Sequence, residues 1–302
     1  MNRKYKNLKI VVDKDNAEMV TGVVGYLLSP DGIEETLSET GHIIINAYMP
    51  YNDKMSDDYI KNLIRENLGT VTYEMEITTI DYDPATETEW KKYFKPQKIG
   101  KKIVVKPSWE DYSQNKGEIV VTIDPGAAFG TGLHETTRGV IVLLEEIIEE
   151  KISQNNIEEV RLLDAGTGSG ILAITAYKMG IHNILAIDND VEAVDTTKEN
   201  LIANDIKCGV TAQHTTLEDL TDYKYYDIIV ANIIPEVLIP NKRTLVEMLR
   251  GNNADLILSG ILEKEKDIVI KEFSNIEGLT LFKKEQLQEW TTLWFKLKKL
   301  NS

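Results

Sequence analysis

The sequence predicts an α/β protein in which a small α+β domain precedes a larger, doubly wound sheet. Three observations predict this fold class. The first 80 residues follow the order β-α-β-β-α-β. From about residue 118, apolar strand-like runs alternate with longer helical segments, which is typical of a mostly parallel sheet covered on both faces. Two final strand-like runs, Leu279–Lys284 and Trp290–Lys298, predict an antiparallel hairpin at one sheet edge.

The elements of the first domain follow from hydrophobic periodicity and from turn residues. Ser56 is typical of a helix N-cap and Gly69 of a helix end. The predicted elements are strand Asn7–Asp13, helix Asn16–Leu28, strands Gly32–Leu37 and His42–Tyr48, helix Tyr59–Leu68 and strand Val71–Asp81. This order is that of a ferredoxin-like fold, so residues 1–80 are predicted to be a ferredoxin-like domain.

Residues 81–116 are predicted to be a connector, because three prolines interrupt any regular pattern, and residues 117–302 the second domain. The connector's predicted elements are a helix over Thr86–Phe94 and a strand over Ile103–Lys106. The second domain's predicted strands are Val160–Asp164, Asn183–Asp188, Val210–Gln213, Tyr226–Ala231 and Asp255–Ser259. Its predicted helices are Thr136–Glu150, Gly170–Met179, Val191–Asn204, Pro235–Arg250 and Glu263–Phe273.

Composition excludes several classes of protein. The 302 residues carry a formal net charge of −15, which argues against a broad nucleic-acid surface and favours a basic partner. No apolar stretch approaches the ~20 residues that span a bilayer, so we expect no membrane association. The single cysteine, Cys208, excludes an internal disulfide and a cysteine zinc cage, and it fits a reducing cytoplasm. No metal site is expected.

The strongest functional signal is the segment Leu162–Gly170, between a predicted buried strand and a predicted helix. Its glycines, Gly166, Gly168 and Gly170, follow the spacing G-x-G-x-G, whereas a dinucleotide fingerprint needs G-x-G-x-x-G. Asp164 precedes the first glycine by two residues. A carboxylate there is unfavourable for a pyrophosphate but suits a ligand with an ammonium group and no phosphate, such as S-adenosylmethionine (AdoMet).

A second carboxylate supports the same ligand. Asp188 ends the next predicted strand, 22 residues after Gly166, where it can accept hydrogen bonds from both ribose hydroxyls. Asp190 is an alternative ribose ligand, although it lies past the strand end. NAD binding is the second interpretation of this pocket.

Two more segments carry candidate residues. Asn232 follows the fourth predicted strand, where its amide either orients a polar group at the pocket mouth or caps the following helix. The segment Asp124–Thr137 contains three glycines, Phe129 and His134 before a predicted helix. It is either a flexible loop with a threonine cap or a lid over the cofactor.

Together, these segments resemble the PrmA family, the methyltransferases of large-subunit ribosomal protein L11. The resemblance rests on D-P-G-x-A-F-G-T-G-x-H-x-T-T at residues 124–137 and D-x-G-x-G-S-G-I-L-A-I at residues 164–174. It continues through A-x-D-x-D at 186–190, A-N-I at 231–233 and S-G-I-L at 259–262. The glycine loop is common to AdoMet methyltransferases, whereas the 124–137 segment is specific to this family. Residues 1–80 resemble the family in architecture only.

The resemblance implies a Rossmann-like methyltransferase sheet with AdoMet as cofactor. Its AdoMet contacts fall on Thr137, Gly166, Asp188 and Asn232, and we expect Asp164, Gly168 and Phe129 to join them. Three residues depart from the family pattern: Thr167 replaces a common cysteine, Leu133 a common threonine and Glu135 a common proline. Glu135 in place of proline removes a rigid start of the helix. We expect this change to affect the dynamics of the lid more than the methyl-transfer chemistry.

The implied reaction is methyl transfer to lysine side chains and to the N-terminal amine of L11. Asn232 is expected to orient the amine, and His134 is a candidate base, although a lone loop histidine is more often a structural hydrogen-bonder. Residues 1–80 are expected to recognise L11, and the protein is expected to be a cytoplasmic monomer without a direct nucleic-acid partner. The alternatives are a methyltransferase acting on another protein or on RNA, an AdoMet-binding scaffold without activity, and an NAD-binding oxidoreductase.

Overall fold

The chain divides into two compact units, residues 1–94 and 95–302. The structure is a computed structural model that describes residues 4–28, 32–38, 40–50, 55–69, 71–81, 94–124, 134–154, 157–220 and 226–298. The helix predicted over Thr86–Phe94 lies outside these residues except for its last residue.

The first unit contains the predicted order of elements. These are β1 (Lys4–Val12), α1 (Lys14–Leu28), β2 (Gly32–Leu37), β3 (Ile43–Pro50), α2 (Asp57–Leu68) and β4 (Tyr73–Asp81). The strands form one antiparallel sheet in the order β2-β3-β1-β4. The name ferredoxin-like stays our interpretation of this order.

One face of this sheet packs against both helices. Leu8 and Ile10 of β1 are buried together with Ile45 of β3 and with Ile60 and Ile64 of α2. Successive strand residues point to opposite faces, so alternation in the sequence selects the face that is covered. The predicted ends of α2 are also present, because the Ser56 hydroxyl accepts a hydrogen bond from a backbone N–H of the first turn and Gly69 has a positive φ of 57°.

The described residues of the second unit form two sheets and six helices. The strands are β5 (Gln97–Ile99), β6 (Ile103–Lys106), β7 (Ile119–Thr122), β8 (Leu162–Ala165), β9 (Ile184–Asp188), β10 (Val210–His214), β11 (Ile228–Asn232), β12 (Ala254–Leu262), β13 (Leu279–Leu287) and β14 (Trp290–Leu297). The helices are α3 (Glu135–Ser153), α4 (Ile171–Lys178), α5 (Val191–Ala203), α6 (Pro235–Leu238), α7 (Lys242–Glu247) and α8 (Lys266–Ser274).

The larger sheet has the order β10-β9-β8-β11-β12-β14-β13. Strands β8 to β12 are parallel, whereas β14 pairs antiparallel with both β12 and β13. The predicted parallel sheet and its terminal hairpin are therefore both present. Among the described residues, no helix is long and apolar enough to cross a membrane.

The sheet is buried on both faces. Leu162 and Val230 pack on one side with residues of α3, α4 and α5, while their neighbours Leu163 and Ile229 pack on the other side with residues of α7 and α8. A strand covered on both faces has no polar face, which explains why these strands read as continuous apolar runs.

The predicted connector, residues 81–116, needs correction at its second half. Residues 95–116 belong to the second unit, where β5, β6 and β7 form a small sheet. Ile99, Ile103 and Val105 are buried in the same core as α3. The Glu145 carboxylate of α3 also accepts the backbone N–H groups of residues 101, 102 and 103. Such long-range contacts do not show in local periodicity.

The helix predicted over Pro235–Arg250 is instead two short helices, α6 and α7. Pro240 lies between them. Proline lacks the N–H that an α-helix needs and its ring clashes with the carbonyl four residues earlier, so a continuous helix is broken there.

Candidate active site

The candidate site lies at the point where the chain reverses direction across the sheet. From β8 the chain moves outward through β9 to β10, and it then returns to form β11 on the other side of β8. Ligands of such sheets bind in the crevice at the carboxyl ends of the strands that flank this switch point. Ala165 pairs with Ile187 on one side and Ala231 on the other. The next residues in each strand or loop are Gly166, Asp188 and Asn232, so the structure brings these three predicted residues together.

The glycine loop follows β8 in a conformation that other residues resist. Gly166 has φ of 72°, in the left-handed region that L-residues with a side chain rarely adopt. A Cβ on Gly166 would also lie 2.4 Å from Cγ2 of Ile233. The backbone N–H groups of Gly166 and Thr167 both donate to the carbonyl of Ile187, at 2.9 Å each. The loop is therefore fixed to the end of β9 before α4 begins.

Asp164 lies behind this loop and is completely buried. Its Oδ2 accepts a hydrogen bond from the Thr167 hydroxyl at 2.8 Å and from the Ala173 N–H at 3.2 Å. Its Oδ1 is buried and has no hydrogen-bond partner among the described residues. Burial raises the pKa of Asp164 to about 7, and the nearby charge of Asp188 acts in the same direction.

Asp188 is more accessible and its carboxylate helps to shape the loop. Oδ2 accepts the Gly168 N–H at 2.9 Å, and Oδ1 accepts the Asp190 N–H at 3.1 Å. A carboxylate oxygen has two lone pairs, so each oxygen retains capacity for a hydroxyl donor. Asp190 instead caps α5 by accepting the Glu192 N–H at 2.9 Å. The structure thus gives Asp190, the alternative ribose ligand, a structural role.

Thr137 and Asn232 meet across two elements. Thr137 is buried in the first turn of α3, and its hydroxyl accepts a hydrogen bond from Asn232 Nδ2 at 3.3 Å. The alternative interpretation of Asn232, as a helix cap, is wrong, because Ile234 occupies the N-cap of α6 and Pro235 its first position.

His134, and not the predicted threonine, is the N-cap of α3. Its Nδ1 lies 3.3 Å from the Thr136 N–H, which donates to it, and 2.8 Å from the Thr136 hydroxyl. Its ring meets the Trp290 ring edge-on at 4.9 Å between centroids. Burial lowers the pKa of His134, which favours the neutral imidazole that a cap requires. Phe129 and the predicted lid, residues 125–133, lie outside the described residues.

Comparison with known proteins identifies the family. The model of the family described as ribosomal protein L11 methyltransferase (PrmA) matches residues 10–298. The chain belongs to this family. A relative from Geotalea uraniireducens, named ribosomal protein L11 methyltransferase, is 42% identical over 212 residues, which cover 69% of this chain and 66% of the relative. A relative of the same name from Alkaliphilus metalliredigens is 35% identical over 277 residues, covering 89% and 83%.

A solved structure agrees with this family membership. The ribosomal protein L11 methylase of Lactobacillus delbrueckii subsp. bulgaricus has a TM-score of 0.60 and 29% sequence identity, and the match covers 68% of this chain and 100% of that chain. The predicted Rossmann-like methyltransferase fold, the methyltransferase class and AdoMet as cofactor are confirmed. The NAD-binding interpretation is not supported for a member of the PrmA family.

The described residues of this PrmA-family site fit AdoMet by their donor and acceptor chemistry. The buried, unpartnered Oδ1 of Asp164 is the kind of acceptor that an ammonium group satisfies. Asp188, at the end of the neighbouring strand β9, can accept further hydrogen bonds. No cluster of His, Cys, Asp and Glu among the described residues has the composition of a metal site.

Sequence reasoning missed the residues that support α3 from behind. Ser259 of β12, opposite Asn232 in the sheet register, donates from Oγ to the carbonyl of Thr136 at 3.1 Å. The Thr292 hydroxyl of β14 lies 2.8 Å from the same Oγ. The S-G-I-L motif that contains Ser259 could have indicated a role for this residue in the site. Thr292 belongs to no motif in the sequence that indicates such a role.

Proposed function

We propose that this enzyme transfers the methyl group of AdoMet to amine nitrogens of ribosomal protein L11, on lysine side chains and at the N-terminus. The relatives' names support the substrate. The observation that supports the chemistry best is the meeting of Gly166, Asp188 and Asn232 at three neighbouring strand ends, beside Thr137. When bound, AdoMet supplies an electrophilic methyl group on a sulfonium.

We assign the cofactor contacts to seven residues. Asp164 accepts a hydrogen bond from the ammonium group, and Asp188 accepts hydrogen bonds from the ribose hydroxyls. The backbone of the loop at Gly166 and Gly168 lies against the ligand. Thr137 and Asn232 close the site from the side of α3 and β11. Phe129, outside the described residues, completes the set. These roles are supported by the buried Oδ1 of Asp164 and by the spare lone pairs of Asp188.

Methyl transfer requires a neutral nitrogen. A free lysine with pKa ~10.4 is neutral in roughly one molecule of 2,500 at pH 7, which corresponds to about 4.6 kcal/mol. Desolvation in a closed pocket disfavours the ammonium and offsets part of this cost. Asn232 uses Nδ2 toward Thr137, so its carbonyl Oδ1 is the atom that accepts an N–H of the incoming amine and orients it.

Mass spectrometry of purified L11 after incubation with AdoMet and this enzyme tests the proposal. We expect mass increments of whole methyl groups with the wild-type enzyme. Because Asn232→Ala removes one orienting hydrogen bond, we expect kcat/KM for L11 to fall by roughly tenfold. Asn232→Asp keeps an oxygen acceptor and should retain more activity than the alanine variant.

Three outcomes would contradict this proposal in different ways. Full activity of Asn232→Ala removes the orienting role of Asn232. No methylation of L11 by the wild-type enzyme removes the substrate. Methyl incorporation into RNA with none into L11 favours the alternative substrate class.

The first unit is proposed to recognise L11. Among the described side chains, the sheet face opposite α1 and α2 carries the exposed Glu34, Glu74 and Glu76 and the half-buried Lys9. Burial and then the negative charge of Glu34 raise the pKa of Tyr48 on the same face. An acidic face of this kind complements a lysine-bearing substrate. We further propose that the enzyme acts as a cytoplasmic monomer, without a direct nucleic-acid partner.

A further inference from the structure

Three buried polar side chains lie in a row along one side of α5, two within the helix and the third at its C-cap. Thr197, Asn200 and Asn204 follow the spacing i, i+3, i+7, which places them on one side of a helix, and all three are buried. Burying a polar group costs free energy unless it is hydrogen-bonded, so the partners of these side chains show what the row does.

The first two members hold the glycine loop. The Thr197 hydroxyl donates to the carbonyl of Gly168 at 2.9 Å, and Asn200 Nδ2 donates to the carbonyl of Ser169 at 2.9 Å. The helix also packs closely here, because a Cβ on Gly170 would lie 2.9 Å from Thr197 Cγ2 and 3.3 Å from Thr197 Cα. Two successive peptide groups of the loop are therefore held by α5.

Fixing these carbonyls also fixes the N–H groups. A trans peptide points its C=O and its N–H in opposite directions, so a Gly168 carbonyl held at α5 turns the Ser169 N–H away from α5. The N–H groups of Gly166 and Thr167 donate to Ile187, and that of Gly168 donates to Asp188, so α5 sets the course of the loop backbone against which a ligand lies. The orientation of the loop is thus set by α5 before a ligand arrives.

Asn200 connects the loop to a second segment. Its Oδ1 accepts the Asp124 N–H at 3.2 Å, just after β7. Asn204 accepts the Thr122 N–H at 2.9 Å, and its Nδ2 donates to the carbonyls of Thr122 at 2.6 Å and of Asn200 at 2.7 Å. Asn204 therefore holds β7 without touching the glycine loop in any described contact.

We propose that Thr197 and Asn200 are positioning residues for AdoMet, which preorganise the glycine loop through the carbonyls of Gly168 and Ser169. This role rests on the assignment of the loop as the AdoMet site. A preorganised loop loses less conformational freedom on binding, so removing these hydrogen bonds weakens ligand affinity even when the fold is intact. Asn204, on the same helix face, is the matched control.

Calorimetric titration of the full-length enzyme with S-adenosylhomocysteine tests this role, alongside thermal unfolding. We expect Thr197→Val, which replaces the hydroxyl by a methyl of similar size, to weaken binding about three- to tenfold. Thr197→Ser keeps the hydroxyl and should bind within about twofold of wild type. Asn204→Ala should lower the Tm more than Thr197→Val does, because it loses more hydrogen bonds, while the affinity stays within about twofold.

Steady-state kinetics give a second readout. We expect the KM for AdoMet to rise in Thr197→Val and in Asn200→Leu with little change in kcat, which a general loss of folded protein would not produce. Wild-type affinity in Thr197→Val, or an equal loss of affinity in Asn204→Ala, would overturn the positioning role alone. A wild-type enzyme that does not bind S-adenosylhomocysteine would overturn the cofactor assignment itself.

Discussion

Asp164 and Asp188 belong to neighbouring strands, but their surroundings differ at the scale of single residues. Asp188 accepts two backbone N–H groups and remains partly accessible, whereas Asp164 is fully buried with one unpartnered oxygen. Burial raises the pKa of Asp164 from 3.8 to about 7. The folded chain therefore binds a proton between about pH 4 and 7 that the unfolded chain releases. The stability due to Asp164 is present below pH 4 and is lost as pH rises through about 7.

This titration predicts a pH-dependent affinity for the cofactor. The ionised form of Asp164 is the one that pairs with an ammonium group, so affinity for S-adenosylhomocysteine should rise as pH increases through about 7 and level off above about pH 8. One unit below the pKa we expect roughly tenfold weaker binding than on the plateau. Calorimetry between about pH 6 and about pH 8.5 measures this slope and reaches the plateau. The Asp164→Asn variant should bind weakly with no such slope, and an unchanged slope would contradict the assignment.

At the scale of elements, the contacts of one helix decide where the second unit begins. Strands β5 and β7, of three and four residues, are not among the predicted elements, although β6, also of four residues, is. The Glu145 carboxylate accepts the N–H groups of Lys101 at 2.8 Å, of Lys102 at 2.8 Å and of Ile103 at 3.2 Å. It thereby joins the turn between β5 and β6 to α3.

We expect Glu145→Ala to be strongly destabilising, because it leaves three backbone N–H groups without their acceptor. The free energy of unfolding should fall by on the order of 3–5 kcal/mol, measured by urea denaturation. The matched control is Glu149→Ala, one turn along α3, whose carboxylate pairs with Lys101 and Lys102 near the surface. That variant should cost about 1 kcal/mol or less. Equal losses in the two variants would show that the turn does not depend on Glu145.

At the scale of the whole molecule, the two compact units have different proposed functions, substrate recognition in the first and cofactor binding in the second. The glycine loop and its neighbouring strand ends belong to the second unit, and the acidic sheet face belongs to the first. The net charge of −15 is compatible with a cationic partner and attracts it over distances limited by salt. Charge on the first unit should therefore affect the protein substrate without affecting the cofactor.

The variant Glu76→Lys tests this division. We expect the KM for L11 to rise about two- to fivefold, and we expect this increase to be smaller at high salt. The affinity for S-adenosylhomocysteine should not change. Glu66→Lys makes the same charge change at an exposed residue of α2, which packs on the other face of the sheet. This variant should have a KM for L11 close to that of the wild type. Equal effects of the two variants would point to net charge rather than to this face.

The sequence by itself determined the order of elements in the first unit, and in the second unit the parallel sheet, the terminal hairpin and the glycine loop. These features depend on local periodicity and on short motifs, which involve only residues close together in the sequence. Tertiary structure alone decided that Asp164 is buried with an unpartnered oxygen and that Asn232 bonds to Thr137 rather than capping a helix. It also decided that Thr197 and Asn200 hold the glycine loop. The physical reason is that hydrogen bonds and burial join residues distant in the chain, and no local pattern records which partners meet.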